Sequence, residues 1–238
     1  MAGRGFLEEA VPVDTGHIFV LRNGRWLKMY RPVNPDRHFS GTCLAESFAE
    51  LYAKVHQVDV GLIPCADGGT SLEQWQPGSL LFDNAIYQAR LASRTSIIAG
   101  VLWHQGESDC IPARYVVYKE RFETLMSTLR RELDLQDVPF LLGGLGDYLA
   151  NFSKKHIAEN YSQVNDVLQE IAAANSMTGF VSAQGLTSNP DYLHFNAASL
   201  YEFGKRYYAE FQRLRDPNKV FPEKPMMDAA VRSPMELL

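Results

Sequence analysis

The sequence predicts a three-layer α/β/α sandwich, in which a mainly parallel sheet lies between two layers of helices. From residue 42 onward, short apolar runs alternate with longer segments of helical periodicity. A strand followed by a helix and another strand is the usual crossover of a parallel sheet. The chain has 238 residues and is 46% hydrophobic, which is enough for one substantial core. We therefore expect a single domain over residues 1–214.

The first forty residues do not follow this alternation. Residues 18–21 and 25–29 flank Asn23-Gly24. They predict a β-hairpin, because Asn-Gly readily takes the positive φ angles of a type I′ turn. We expect this hairpin to be an insertion into the regular pattern.

The alternating elements then follow in order. Apolar residues at helical spacing predict helices, and short apolar runs predict buried strands. The predicted helices cover residues 43–55, 81–92, 113–133, 153–175 and 197–214, and the predicted strands cover residues 58–65, 96–102, 138–142 and 179–183. Four prolines interrupt the periodicity after Leu214, so residues 215–238 are expected to form an extended tail.

Composition and charge exclude several classes of function. A net charge of -5, a pI near 5.7 and no Lys/Arg cluster argue against nucleic acid as a partner. No run of about 18 apolar residues is present, which argues against a membrane span. The three cysteines, Cys43, Cys65 and Cys110, lack the spacing of a metal site or a disulfide framework, and we expect buried thiols. The sequence leaves a homo-oligomer open and does not determine the localisation, for which we favour the cytoplasm.

A glycine pair follows the predicted strand 58–65. Adjacent glycines, here Gly68 and Gly69, let the backbone approach a ligand closely and turn an N–H toward it. Such an N–H suits an oxyanion donor. The alternative is an ordinary tight turn between a strand and a helix, in which paired glycines are common.

A polar cluster directly follows the apolar run of residues 96–101. Residues 102–109 read Leu-Trp-His-Gln-Gly-Glu-Ser-Asp. Ligands of open α/β sheets gather at the carboxyl ends of parallel strands, so this cluster is expected to line a crevice. The amide of Gln105 could donate a second hydrogen bond to an oxyanion. The alternative is a loop whose polar side chains only satisfy nearby backbone groups.

Asp191 and His194 follow the last predicted strand and lie three residues apart. A carboxylate bonded to one imidazole nitrogen fixes the tautomer, and the other nitrogen can then take a proton from a nucleophile. The alternative is a capping aspartate beside a histidine whose hydrogen bonds are already satisfied.

Four segments in this order resemble the carbohydrate-esterase branch of the SGNH hydrolases, which includes sialate O-acetylesterases and acetylxylan esterases. They are residues 1–5 (Met-Ala-Gly-Arg-Gly), 66–75, 103–109 and 191–194, and the resemblance extends from Met1 to about Leu214. It implies a flavodoxin-like sheet and hydrolysis of acetyl esters on small or oligomeric carbohydrates, without a metal or an organic cofactor.

The resemblance also implies roles for individual residues. His194 would be the general base, Asp191 its orienting acid, and Gly69 and Gln105 the oxyanion donors. Glu107 would brace the Gln105 loop or bind substrate. The predicted substrate-binding residues are Gly68, Thr70, Trp75, His104 and Glu107.

In that family the opening signature is Gly-Gln-Ser-Asn-Met-Ala-Gly-Arg-Gly, and its serine is the nucleophile at the end of the first strand. The serine and the first strand would therefore lie upstream of Met1, and we expect residues 1–238 to be a fragment or an internal-start version of a longer polypeptide. Without that serine the chain is expected to be inactive. Two alternatives remain: a non-catalytic relative that binds acylated carbohydrate, or a substitute nucleophile among Ser40, Thr70, Ser71 and Ser108.

Overall fold

The computed structural model describes residues 2–215. Within this range the chain forms six strands and six α-helices. In chain order they are β1 (Ile18–Arg22), β2 (Arg25–Lys28), α1 (Ala45–His56), β3 (Val60–Leu62), α2 (Leu80–Ala92), β4 (Val101–Trp103), α3 (Pro112–Tyr115), α4 (Tyr118–Leu133), β5 (Phe140–Gly143), α5 (Lys155–Ala174), β6 (Thr178–Val181) and α6 (Ala197–Leu214). Apart from Arg215, the predicted tail of residues 215–238 lies outside the described residues.

The strands form two three-stranded sheets, with the orders β2-β1-β3 and β4-β5-β6. The β1/β2 hairpin is antiparallel, and the pairs β1/β3, β4/β5 and β5/β6 are parallel. The mainly parallel α/β architecture predicted from the sequence is therefore confirmed.

Strand β5 shows how the layers are arranged. Phe140 and Leu142 pack into a core cluster with residues of α2, α4 and α5. Leu141 packs on the opposite side, in a cluster formed with α1 and α6. Because successive side chains of a strand point to opposite faces, the sheet lies between two helical layers. The predicted three-layer sandwich is present.

The structure corrects the prediction that the hairpin is an insertion. Strand β1 pairs in parallel with β3, beginning at Ile18 opposite Val60. Ile18 and Val20 pack in a cluster with Ala49 of α1, whereas Phe19 packs in a cluster with Ala92 of α2. A strand buried on both faces belongs to the interior of a layered sheet. The hairpin is therefore part of the β2-β1-β3 sheet, with β1 at its centre and β2 at its edge.

The predicted helix 113–133 is interrupted between α3 and α4. Val117 there has φ -108 and ψ 3, outside the helical region, and the neighbouring Val116 is 68% exposed. β-Branched residues lose side-chain freedom in a helix, and an exposed valine gains little from packing to offset that loss. The adjacent valine pair thus ends the first helix.

The predicted strand 96–102 is also shorter than expected. Pairing of β4 with β5 begins at Val101 opposite Phe140, where β5 itself begins. Residues 96–100 therefore have no strand partner on that side. Ile97 in this stretch is 43% exposed, so apolar composition did not by itself predict burial, and pairing decided where the strand begins.

Candidate active site

The loop between β6 and α6 carries a histidine–carboxylate pair. His194 Nδ1 lies 2.6 Å from Asp191 Oδ2. Asp191 Oδ1 accepts hydrogen bonds from the backbone N–H groups of Leu193 (2.9 Å) and His194 (3.0 Å). Burial raises the pKa of Asp191, but these hydrogen bonds and the imidazole outweigh burial and lower it. The ionised carboxylate therefore fixes the His194 tautomer, and His194 Nε2 has no hydrogen-bond partner among the described residues.

Asn189 holds this loop in place. Its backbone N–H donates to the carbonyl of His194 (2.7 Å), and its side-chain amide donates to the carbonyl of Arg4 (2.9 Å). Asn189 is buried, at 4% exposure. The His194 loop is thereby tied to the N-terminal segment, 185 residues away in sequence.

The Gly68-Gly69 loop lies at the carboxyl end of β3. Gly69 has φ +80, a conformation that favours glycine, although a Cβ there would meet no atom within 4 Å. The Gly69 carbonyl accepts a hydrogen bond from Ser108 Oγ (3.0 Å). The Gly69 N–H makes no hydrogen bond within residues 2–215. It can therefore donate to a ligand.

A buried ion pair supports the same loop. Arg4 contacts Asp36 through two hydrogen bonds, Nη2 to Oδ2 (2.6 Å) and Nη1 to Oδ1 (2.9 Å). Asp36 also accepts the N–H of Gly68 (2.8 Å) and the hydroxyl of Ser40 (2.9 Å). Burial raises the pKa of Asp36, but these donors together lower it to about 2. Arg4 thus connects the glycine loop to the His194 loop.

Asp36→Asn is expected to lower the free energy of unfolding by about 3 kcal/mol, because it leaves the Arg4 guanidinium buried without its counter-ion. The pKa of Asp36 is depressed from its ordinary value of 3.8 to about 2. Its contribution to stability is therefore present above about pH 4 and is lost as the pH falls toward 2. Denaturant titrations from pH 2 to pH 7 measure both effects.

The matched control is Asp59→Asn, at an exposed ion pair with His17. Such a pair contributes less than about 1 kcal/mol. Equal stabilities of wild type and Asp36→Asn at pH 7 would contradict the role assigned to Asp36.

Gln105 is buried and fully engaged in hydrogen bonds. Its Nε2 donates to the carbonyl of Thr70 (3.0 Å) and to Asp109 Oδ2 (2.6 Å). Its Oε1 accepts from the hydroxyl of Tyr118 (3.1 Å). Both amide hydrogens are used, so the predicted oxyanion role would require one of these bonds to break. In this arrangement Gln105 joins the β3 loop to the β4 loop.

Three of the predicted substrate-binding residues lie in the β3 loop and the turn after it. Trp75 is 7% exposed, and its Nε1 donates to Thr70 Oγ1 (2.9 Å). The Thr70 hydroxyl donates to the carbonyl of Asp67 (2.7 Å). The N–H of Gly68 donates to Asp36, and its carbonyl accepts from Arg37 (3.2 Å). These groups stabilise the loop, and their direct contact with substrate stays a prediction.

The other two, His104 and Glu107, lie side by side after β4. His104 Nδ1 lies 3.2 Å from the carbonyl of Gly143, and Nε2 lies 3.5 Å from Glu107 Oε1. Burial raises the pKa of Glu107, but hydrogen bonding and charge from His104 lower it to about 2. Glu107 therefore places a negative charge at the site, and contact of His104 or Glu107 with substrate stays a prediction.

Gly69, Gln105, Glu107 and His194 line one cavity of about 1190 Å³.

Three site residues were not identified from the sequence. Neither the hydrophobic periodicity nor the spacing to other polar residues marks Asp36 or Asp109 as a site residue. Tyr148 was not identified either; burial and the carboxylates of Glu107 and Asp191 raise its pKa. Only the folded chain brings Asp36 to Gly68 and Asp109 to Gln105.

The four hydroxyls considered as substitute nucleophiles bond elsewhere. Ser40 donates to Asp36, Thr70 to the Asp67 carbonyl, and Ser108 to the Gly69 carbonyl. Ser71 Oγ lies 3.4 Å from Gln74 Oε1. Within residues 2–215 no serine or threonine hydroxyl is hydrogen-bonded to His194. Within the described residues no candidate nucleophile is therefore hydrogen-bonded to His194.

The same residues contain no group of three or more His, Cys, Asp or Glu side chains placed to hold a metal ion. Nor does any helix among them have the length and apolar character needed to cross a membrane. Cys43 and Cys110 are buried, as predicted, and Cys65 is half-buried.

Comparison with known proteins gives several relatives. A probable carbohydrate esterase of Arabidopsis thaliana is 25% identical over 188 residues, which are 76% of this chain and 68% of that protein. A solved structure of an Arabidopsis thaliana protein has a TM-score of 0.78 and 24% identity, and the match covers 90% of this chain and 93% of that one. A carbohydrate acetylesterase from Xanthomonas citri has a TM-score of 0.60 and 18% identity, and the match covers 83% of this chain and 48% of that one. The structural matches show a shared fold.

The family model described as carbohydrate esterase, sialic acid-specific acetylesterase matches residues 1–213. This match confirms the resemblance stated from the motifs and covers both the glycine loop and the His194 loop. The chain therefore belongs to the carbohydrate esterase family of sialic acid-specific acetylesterases.

Proposed function

We propose that this protein is the major part of a carbohydrate O-acetylesterase that works by a Ser-His-Asp mechanism. The observation that carries the proposal is the Asp191–His194 pair, at 2.6 Å, on the same cavity as the unpaired N–H of Gly69. A base with an oriented tautomer and an open backbone donor are two parts of an acyl-transfer site. We propose that the third part is a serine upstream of Met1, which the family's opening signature implies.

The reaction proceeds in two steps, acetylation of the serine and hydrolysis of the acetyl-serine. The serine oxygen attacks the acetyl carbonyl carbon while His194 Nε2 takes its proton, and Asp191 stabilises the imidazolium. The Gly69 N–H donates to the tetrahedral oxyanion. The intermediate collapses, the sugar oxygen leaves with the proton from His194, and the serine keeps the acetyl group. Water, deprotonated by His194, then releases acetate and restores the serine.

Gln105 takes a different part from the one its motif predicts. Both of its amide hydrogens already bind Thr70 and Asp109. We assign it to holding the Gly69–Thr70 backbone at the site, which preserves the position of the oxyanion donor. Gln105→Ala is then expected to lower kcat with little change in KM. The reason is that the contact of the Gly69 N–H with the oxyanion strengthens in the transition state.

The substrate class is a small or oligomeric carbohydrate acetyl ester. The test uses the chain extended at its N terminus by an apolar strand and Gly-Gln-Ser-Asn, with Gly-Gln-Ala-Asn as the matched control. Acetate release is measured from O-acetylated sialic acid, acetylated xylo-oligosaccharide and p-nitrophenyl acetate. We expect the serine protein, and not the alanine control, to release acetate from at least one of the two sugar esters. Equal acetate release by the serine and alanine proteins would refute the mechanism.

A second candidate is a protein that binds acetylated carbohydrate without hydrolysing it. It is favoured by one observation, that no described hydroxyl contacts His194. Saturable binding of the acetylated sugars by the serine-bearing protein, with no acetate released, would establish this second function.

A further inference from the structure

An exposed aromatic ring lies at the cavity that contains the candidate active site. Phe39 is 55% exposed, and it lines the same cavity as Gly69 and His194. A phenylalanine left in water forgoes the free energy that its burial would give. Single exposed apolar side chains are nevertheless common on protein surfaces. The surroundings of Phe39 therefore decide whether its ring is suited to bind a ligand.

Arg4 and a local turn hold the Phe39 ring in place. Arg4 Cζ lies over the ring, 5.0 Å from its centroid, and the Arg4 guanidinium is itself fixed by Asp36, with both side chains less than 10% exposed. In the turn, Ser40 Oγ accepts the N–H of Arg37 (3.0 Å) and donates to Asp36 (2.9 Å). An aromatic ring that is already held loses little conformational freedom when a ligand packs on it, so binding costs less.

The same arginine places the ring beside the site. The Arg4 guanidinium fills the space that a Cβ on Gly68 would need. The Arg4 carbonyl accepts from the side chain of Asn189, whose backbone N–H bonds the carbonyl of His194. The Phe39 ring is thus separated from the glycine loop by one guanidinium group. A ligand whose acetyl group lies at the glycine loop can therefore extend over Phe39.

The groups next to the ring are polar. The imidazole of His38 packs against Phe39 with a centroid distance of 4.8 Å and an interplanar angle of 88°. Phe39 is the one apolar residue of the segment 36–40 (Asp-Arg-His-Phe-Ser). A protein or lipid surface would need a contiguous apolar patch to dock on. An isolated aromatic ring among hydrogen-bonding groups instead fits a small ligand that is apolar on its face and polar at its rim.

A pyranose ring with equatorial hydroxyls has this character. Its axial C–H bonds point to the two faces, and its hydroxyls project from the rim. The weakly positive C–H hydrogens pack favourably on the electron-rich face of an aromatic ring. The two arginines beside Phe39 already have carboxylate partners, Arg4 with Asp36 (2.6 Å) and Arg37 with Asp67 (2.8 Å). No uncompensated arginine there favours an acidic sugar over a neutral one.

We propose that Phe39, held by Arg4, is a binding subsite for a neutral pyranose residue that is linked to the acetylated sugar. The subsite makes the protein bind an oligosaccharide more tightly than a single sugar. The inference rests on the proposed function in one respect, that the acetylated unit lies at the glycine loop. Binding of an unacetylated oligosaccharide at Phe39 does not depend on hydrolysis and can be measured separately.

The first test is calorimetric titration of the full chain of residues 1–238 with xylotetraose, an unacetylated neutral oligosaccharide. We expect Phe39→Ala to raise the Kd about 3- to 10-fold, the effect of losing one aromatic stacking contact. Phe39→Trp, which keeps an aromatic face, should retain the affinity. The matched control is Tyr87→Ala, which should leave the Kd unchanged. Tyr87 is 63% exposed on α2 and is not among the residues that line the cavity.

The second test uses the serine-bearing protein and two esters, acetylated xylo-oligosaccharide and p-nitrophenyl acetate. Phe39→Ala is expected to lower the ratio of their kcat/KM values by about 3- to 10-fold, mainly through KM for the oligosaccharide. The reason is that p-nitrophenyl acetate carries no second sugar to pack on the ring. Tyr87→Ala should leave this ratio unchanged.

The proposal is overturned if xylotetraose does not bind at millimolar concentration, or if wild type and Phe39→Ala bind it equally. An equal loss of affinity in Tyr87→Ala would also overturn it, because the effect would not be located at Phe39. So would an equal loss of kcat/KM for both esters, since Phe39 would then act on the glycine loop and not on a sugar. If xylotetraose binding depends on Phe39 but the serine-bearing protein releases no acetate, the subsite stands and the proposed function fails.

Discussion

His194→Ala in the serine-bearing protein is expected to remove nearly all hydrolysis of an acetyl ester, lowering kcat by about 10⁴-fold or more. In the proposed mechanism His194 Nε2 takes the proton from serine, and within residues 2–215 no other side chain lies hydrogen-bonded to Asp191 in its place. Initial rates with p-nitrophenyl acetate and with the acetylated sugars measure the loss.

Asp191→Asn is expected to lower kcat less, by about 10²- to 10⁴-fold, because Asp191 sets the tautomer and orientation without itself transferring a proton. The matched control is His156→Ala, at an exposed position on α5, which should leave kcat and KM unchanged. Equal activity of the wild-type and His194→Ala proteins would exclude His194 as the base.

The polypeptide of residues 1–238, without the proposed upstream serine, is expected to show esterase activity several orders of magnitude below that of the serine-bearing protein. A base and an oxyanion donor without a nucleophile can only activate water, and hydrolases that lack their triad residues retain about 10³- to 10⁴-fold acceleration over the uncatalysed reaction. We also expect no burst of acyl-enzyme and no covalent labelling by a serine-directed phosphonate. Stopped-flow kinetics and intact-mass spectrometry measure these two results.

The same experiment requires proof that the chain is folded. A cooperative thermal transition of residues 1–238 must therefore be recorded before labelling, because an unfolded chain would be equally inactive. The matched comparison is the extended protein, which should label once per chain. Stoichiometric labelling of the folded, unextended chain would show that an internal hydroxyl is the nucleophile. That result would refute the proposal that the nucleophile is an upstream serine.

The sequence alone determined most elements and the order of the candidate site loops. Helix α6 was predicted at residues 197–214, where the structure has it, because its apolar residues recur at helical spacing and pack into one cluster. The strands were predicted near their observed positions because each one falls in or beside a short apolar run. The Asp191–His194 contact was predictable because its two residues are close in sequence, within one loop.

Only the tertiary structure decided which polar groups of the candidate site are already hydrogen-bonded and which are open to a ligand. Arg4 and Asp36 are 32 residues apart, and neither carries a local signal that it pairs with the other. Gln105 was expected to donate to an oxyanion, but folding brings Asp109 and the Thr70 carbonyl to its amide. The hairpin was expected to be an insertion into the regular pattern, but its strand β1 pairs with β3 and packs against both α1 and α2. Periodicity reports which side chains prefer burial, whereas hydrogen-bond partners and strand neighbours depend on residues far apart in the chain, which only the packed fold brings together.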